Sequence, residues 1–127
     1  MRLVLDENLS IPRLQAALQS RDIPLVLQTE LMQRGLPDEE VLAALRGHDD
    51  LYLLSRDQDF RYKPAVRLAL ISHGIGAFVI TSAGNKSLVE LTELIVVAWP
   101  RICKFAATHP RPFVAKVLAN GKVALCE

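Results

Sequence analysis

Three stretches of the chain are apolar without alternation and then turn abruptly polar: Leu3-Val4-Leu5 before Asp6-Glu7-Asn8, Leu51 to Leu54 before Ser-Arg-Asp-Gln-Asp-Phe at 55–60, and Ala77 to Ile80 before the polar loop Thr81-Ser82-Ala83-Gly84-Asn85. Strands that are apolar on both faces lie in parallel sheets covered by helices on each side. Ile23 to Leu27 reads as a fourth such strand, second in chain order. Between these runs the spacing becomes helical. Leu14, Ala17 and Leu18 recur after a capping Ser10 and a first-turn Pro12, and that helix lasts to about Ser20. Beyond a turn at Gly35-Leu36-Pro37, Asp38-Glu39-Glu40 opens a helix that Gly47 closes, with a negative first turn suited to the helix dipole. Ala65 to Ser72 forms a short helix stopped by Gly74, and Ser87 with Glu90 makes a capping box for a long apolar helix bent or ended near Pro100. Phe113 to Leu118, Asn120-Gly121 and Lys122 to Cys126 predict a hairpin with a tight two-residue turn, an antiparallel addition to the sheet. Strands alternating with helices predict an α/β fold with a central, mainly parallel sheet, and 127 residues make one domain, 1–127.

Half the residues are hydrophobic, 23% are charged and the net charge is +1. That balance excludes a disordered chain and a strongly basic coat, so any nucleic-acid contact is a local patch. Cys103 and Cys126 lack zinc-type spacing, and Asp6 and Glu7 interrupt the first apolar run where a signal peptide would continue it, so a reduced, cytoplasmic protein is expected. The apolar stretch from Leu91 to Trp99 contains Glu93 and stops at Pro100, short of the ~20 residues that span a bilayer. No membrane insertion is expected.

The acids at the strand ends carry the chemistry. In an open parallel sheet, sites gather outside the carboxyl ends of the strands, where strand order reverses. Asp6 and the pair Asp57 and Asp59 occupy such ends, and they converge if the first and third strands are neighbours. Asp38 stands one turn before Val41 and two before Leu45, the core positions of its helix, and so faces inward. Glu39 faces away, while Glu40 lies between and can stand behind the site. Four carboxylates held together repel one another and favour a hard divalent cation, Mg²⁺ or Mn²⁺, bound by oxygen alone. Such an ion activates water and neutralises a phosphodiester under attack, which makes metal-assisted phosphodiester hydrolysis the expected reaction. Arg56, Arg61 and Lys63 flank the motif and are candidates to hold an anionic backbone. Each group also has an ordinary role: Asp6 can end a strand, Asp38 can serve a helix first turn, and Asp57 and Asp59 can form an Asx-type turn. Asn8 is expected to bond the backbone at the start of its loop. His48, His73 and His109 read as solvated, Trp99 and Phe105 as core or interface rather than a base-stacking platform, and Ser82 and Ser87 lack a nucleophile's partners.

Leu-Asp-Glu-Asn at 5–8, Pro-Asp-Glu-Glu-Val at 37–41 and Ser-Arg-Asp-Gln-Asp-Phe at 55–60 together resemble the PIN-like family, close to its VapC-type toxins. The likeness covers roughly the first half of the chain. It implies a three-layer PIN-like fold, an acidic metal pocket and a ribonuclease, often the toxin of a bacterial toxin–antitoxin pair. By position, the family's first acid is Asp6, its helix-borne acid Asp38 and its strand-end pair Asp57 and Asp59. Ser55 stands where relatives often carry Thr, and with Asn8 and Glu40 it would support the ligands from behind. The expected partners are RNA, a cognate antitoxin and a second copy of the chain. Self-association is expected through the apolar helix bearing Leu91, Leu94, Ile95 and Ala98 and through the hairpin. A non-catalytic RNA- or protein-binding module and a phosphoryl-transfer receiver are the competing functions, the latter weakened by the lack of a clearly placed Lys in the later strands.

Overall fold

The computed structural model describes residues 1–82, 84 and 86–126, so Ala83 and Asn85 of the loop expected at 81–85 lie outside the described residues. The strands are β1 (Arg2–Leu5), β2 (Leu25–Leu27), β3 (Leu51–Ser55), β4 (Gly76–Ile80), β5 (Phe113–Val117) and β6 (Val123–Leu125). The helices are α1 (Pro12–Gln19), α2 (Gln28–Leu31), α3 (Asp38–Leu45), α4 (Asp59–Tyr62), α5 (Pro64–His73) and α6 (Leu88–Thr108), and a single 3-10 turn spans Glu7–Leu9. One sheet runs in the order β2-β1-β3-β4-β5-β6. Every neighbouring pair is parallel except β5 and β6.

The sheet is apolar on both faces because helices cover both. Leu3, Leu5, Leu54, Phe78 and Ala115 pack with α1 and α6 on one side. Val4, Leu53, Ala77, Val79 and Val114 pack with α3, α4 and α5 on the other. Strand alternation then decides where the acids go. Asp6 follows Leu5, so it returns to the face of Val4 and α3. Ser55 follows Leu54 and falls on that same face.

Several expected elements differ in detail. β2 begins at Leu25 rather than Ile23, because the chain is still leaving a turn in which Asp22 has φ +62°. Ser10 is not the cap of α1, whose first flanking residue is Ile11; its hydroxyl donates instead to the carbonyls of Leu5 and Asp6, at 3.1 and 2.8 Å. Pro12 lacks an N–H and so leaves one fewer donor for a cap to satisfy. α6 runs through Pro100 to Thr108. An interior proline costs about 3 kcal/mol, but Ile102 and Phe105 beyond it are both buried, and each such side chain contributes roughly 1.5–3 kcal/mol.

The expected C-terminal hairpin is present as β5 and β6, but its setting and its turn differ from expectation. β5 continues the parallel sheet beside β4, so only β6 is antiparallel. Its loop has three residues, Ala119 to Gly121, closed by the Leu118 amide donating to the Lys122 carbonyl at 2.8 Å. Only Gly121 takes a positive φ, +83°, while the Asn120 side chain accepts from the Lys122 amide at 3.0 Å. A side chain at 121 would also lie 2.8 Å from Val97, so glycine serves both the turn and its seat on α6. The apolar surface expected to drive self-association is used within the chain, since Leu91, Leu94, Ile95 and Ala98 are all buried against the sheet. Nor are all the histidines solvated. His48 is exposed, but the His73 Nδ1 is buried with no partner among the described residues, and His109 stacks on Phe105 with ring centroids 3.7 Å apart.

Candidate metal centre

The chain leaves β1 for β2 on one side and returns past it to β3 on the other, so strand order reverses between β1 and β3. Parallel strands that diverge this way leave a crevice at their carboxyl ends. Asp6 and the segment after Ser55 bound that crevice from the two strands. The Asp6 amide donates to the Leu54 carbonyl at 3.1 Å, which holds the two strand ends together.

One hydroxyl organises the polar groups here. The buried Ser55 Oγ donates to Asp6 Oδ2 and accepts from the Asp57 amide at 2.9 Å, so a single side chain fixes an acid of β1 and the start of the loop after β3. Ser55 is fully buried at its strand end, and its hydroxyl is satisfied by these two bonds. Asp6 Oδ1 in turn accepts from the Leu9 amide at 3.3 Å, making Asp6 the cap of the 3-10 turn. Asp57 Oδ1 accepts from the Asp59 amide at 2.9 Å. The Asx-type turn is therefore present, and the Asp57 carboxylate takes part in it.

Asp38 completes the arrangement from α3. Carboxylate oxygens of Asp38, Asp57 and Asp59 lie within 4.8 Å of one another. Asp6 is outside that trio but lines the same cleft of about 160 Å³ with Asp38 and Asp57. The expected set of four is thus brought together as three carboxylates in close reach and one at the cleft floor. An oxygen-only donor set with this much negative charge fits a hard divalent ion.

The supporting residues divide. Glu40 is exposed beside Glu39 and is not among the residues lining the cleft. Asn8 lines it, and its carbonyl accepts from the Arg56 guanidinium at 3.0 Å. Arg61 donates to the Gln58 side chain at 3.0 Å and lies 4.5 Å over the Tyr62 ring, while Lys63 is exposed and close enough for its charge to act on Asp38. Two groups escaped sequence reasoning. Gln28, only 3% exposed at the end of β2, lines the cleft and accepts from the Glu7 amide at 3.2 Å. Glu7 reaches across to accept from the Gly35 amide at 2.8 Å, fastening the loop that leads into α3. The available signal was a polar residue directly after an apolar strand, which the sequence shows at Gln28 as it does at Asp6.

Burial and neighbouring charge disturb these acids. Burial pushes Asp6 from its ordinary 3.8 up to about 6, with the charge of Asp57 adding to it and the bonds from Ser55 and Leu9 opposing it. Asp38 is raised too, first by burial and then by Asp57 and Asp59, against the pull of Lys63. A raised acid binds more protons folded than unfolded. Its stabilising effect is complete below the unfolded value and disappears as pH rises through the folded one. Metal-free protein should therefore be more stable, and melt at a higher temperature, at about pH 5 than at pH 7.5, with Asp6 contributing roughly 1.4 kcal/mol of the difference. Melting curves in chelator measure this, and Asp6→Asn should flatten much of the slope. An equal rise in that variant would contradict the assignment to Asp6.

Compared with known families, residues 1–82 match a model described as PIN like domain, which is more than half of the chain. The chain belongs to the PIN-like domain family. PIN domains are generally nucleases and typically use divalent metals, so the protein is a nuclease-like module with an acidic cluster where such an ion fits. The match ends just after β4, so α6 and the hairpin lie beyond it. No curated protein and no solved structure gives a significant match. Among the described residues, no helix of this PIN-like chain is long and apolar enough to cross a membrane.

Proposed function

We propose that this PIN-like chain is a Mg²⁺- or Mn²⁺-dependent endoribonuclease and the toxin of a toxin–antitoxin pair. The observation that supports the reading most is the meeting of Asp38, Asp57 and Asp59 within 4.8 Å, at the point of the sheet where strand order reverses. These three residues would hold the ion, with Asp6 reaching it directly or through water. When bound, the ion supplies a Lewis acid and an activated water for attack on a phosphodiester.

The chain's own residues supply position. Ser55 keeps Asp6 and the Asp57 backbone in fixed relation, and α3 is tied through Gly35 to the Glu7 side chain. Lys63 and Arg56 give the rim positive charge against which an anionic strand can rest. The antitoxin and self-association belong to the same reading, and exposed apolar residues support them: Tyr62, Leu68 and Ile71 flank a groove of about 470 Å³ along α4 and α5. A partner covering that face would leave the sheet undisturbed.

The test is cleavage of a labelled single-stranded RNA with Mn²⁺ or Mg²⁺ present or chelated. Cleavage that needs the ion is expected, together with growth arrest when the protein is expressed in bacteria. Metal-loaded protein that binds RNA and leaves it intact would favour the non-catalytic module.

A further inference from the structure

The acidic cleft cannot by itself attract a polyanion, and the chain's charge is distributed to compensate. Between Leu94 and Cys126 the sequence carries Arg101, Lys104, Arg111, Lys116 and Lys122 and no Asp or Glu. That stretch is net +5 in a chain of net +1, so the remainder is net −4. Clustered cations on one part of a near-neutral protein are the electrostatic footprint of a phosphate backbone.

The fold gathers three of these cations around one concavity. Arg101, Lys104 and Thr108 follow one another at helical spacing along α6, and Lys122 approaches them from the start of β6. With His109 they border a groove of about 310 Å³ whose wall is Phe105 and Val123. Among the described residues no carboxylate lines it and none of the three cations is paired with an acid. Arg101 is steadied by donating to the Asn120 carbonyl at 3.2 Å, so part of the ordering cost is met before any ligand arrives. The His109 Nδ1 is held by the Phe105 carbonyl at 3.1 Å, its ring flat against Phe105.

Position favours a strand rather than a free anion. Lys122 stands at the carboxyl end of β5, and α6 carries the groove along the face of the sheet opposite the acids, down to Phe105 against Phe113 at the amino end of β5. From Arg101 to Thr108 the groove follows α6 for about 10 Å at 1.5 Å per residue. That length suits successive phosphates of one strand better than a single anion. We infer that the groove between α6 and β6 binds the phosphodiester backbone of single-stranded RNA away from the cleaved bond. The inference builds on the ribonuclease reading but locates a second contact, outside the part of the chain matched to the family.

Fluorescence anisotropy with a labelled single-stranded RNA, in chelator so that nothing is cut, tests the groove independently of catalysis. The double variant Lys104→Glu, Lys122→Glu should bind at least roughly tenfold more weakly, and its salt dependence should be shallower by about 0.7 in slope for each phosphate that is no longer neutralised. Both side chains are exposed, and matching melting curves establish that the variant folds. Arg46→Glu, an exposed charge reversal after α3, should bind like the parent. A nucleoside triphosphate should compete only weakly, and effective competition would show that the groove takes a free nucleotide and overturn the strand assignment. Equal RNA binding by parent and double variant, or equal weakening by Arg46→Glu, would overturn the groove altogether. RNA bound through the groove by a protein that cuts nothing would leave this inference standing and remove only the ribonuclease.

Discussion

Adding millimolar Mn²⁺ or Mg²⁺ to the metal-free protein is expected to raise its melting temperature by roughly 10 °C. The cause is the cluster itself: Asp38, Asp57 and Asp59 present oxygens within 4.8 Å of one another, and Asp38 is raised partly by the other two. An ion that binds only the folded chain adds RT ln(1 + [L]/Kd), about 2.7 kcal/mol at a hundredfold excess over Kd. For a domain of this size each kcal/mol moves the midpoint by roughly 3–5 °C. The effect should be smaller at about pH 5, where protons compete with the ion for Asp6 and Asp38. Differential scanning calorimetry in chelator and then in excess ion measures it, and a midpoint unmoved by either ion counts heavily against the cluster as a metal site.

Asp57→Asn is expected to separate the two roles of its carboxylate. Asparagine keeps the oxygen that accepts from the Asp59 amide, so the turn survives, while one negative charge leaves the cluster. RNA cleavage should fall on the order of a hundredfold to a thousandfold, since a metal's charge stabilisation of the transition state is worth several kcal/mol. The metal-free variant should melt slightly higher than the parent, because like charges in the cluster no longer oppose one another. Asp59→Asn should behave similarly, and Glu39→Gln, on the exposed side of α3, should change neither property. Cleavage at the parental rate by Asp57→Asn would reduce the motif to its turn.

The parts of this architecture that could be read from sequence are those where one physical signal acts alone. Leu3 to Leu5 are buried and so are Leu51, Leu53 and Leu54, on both faces of the sheet, so these apolar runs carried the parallel sheet. The inward direction of Asp38 followed from its spacing to Val41 and Leu45, both of which are buried. What was not legible depends on competing signals or on distant partners. α2 and α4 have four residues each, too short for a helical period to show. Pro100 signals a helix end, yet the burial of Ile102 and Phe105 outweighs it. Ser10 has the composition of a cap but bonds back to β1, and only the fold reveals that nearer acceptor. The bond that holds Asp6 likewise comes from Ser55, 49 residues away. The role of the α6 face is the clearest loss. Its apolar residues suggested an interface, whereas a six-stranded sheet already occupies them.

Asp38→Asn tests the central claim most directly, because no hydrogen bond within the described residues depends on the Asp38 side chain and its part in the fold is small. The measurement is the initial rate of cleavage of a labelled single-stranded RNA by parent and variant at equal, saturating Mn²⁺, with both shown to be folded by their melting curves. A metal-dependent nuclease centre predicts that the parent cuts only with the ion present and that the variant loses activity on the order of a hundredfold or more. A variant as fast as the parent, or a parent equally fast in chelator, would contradict it.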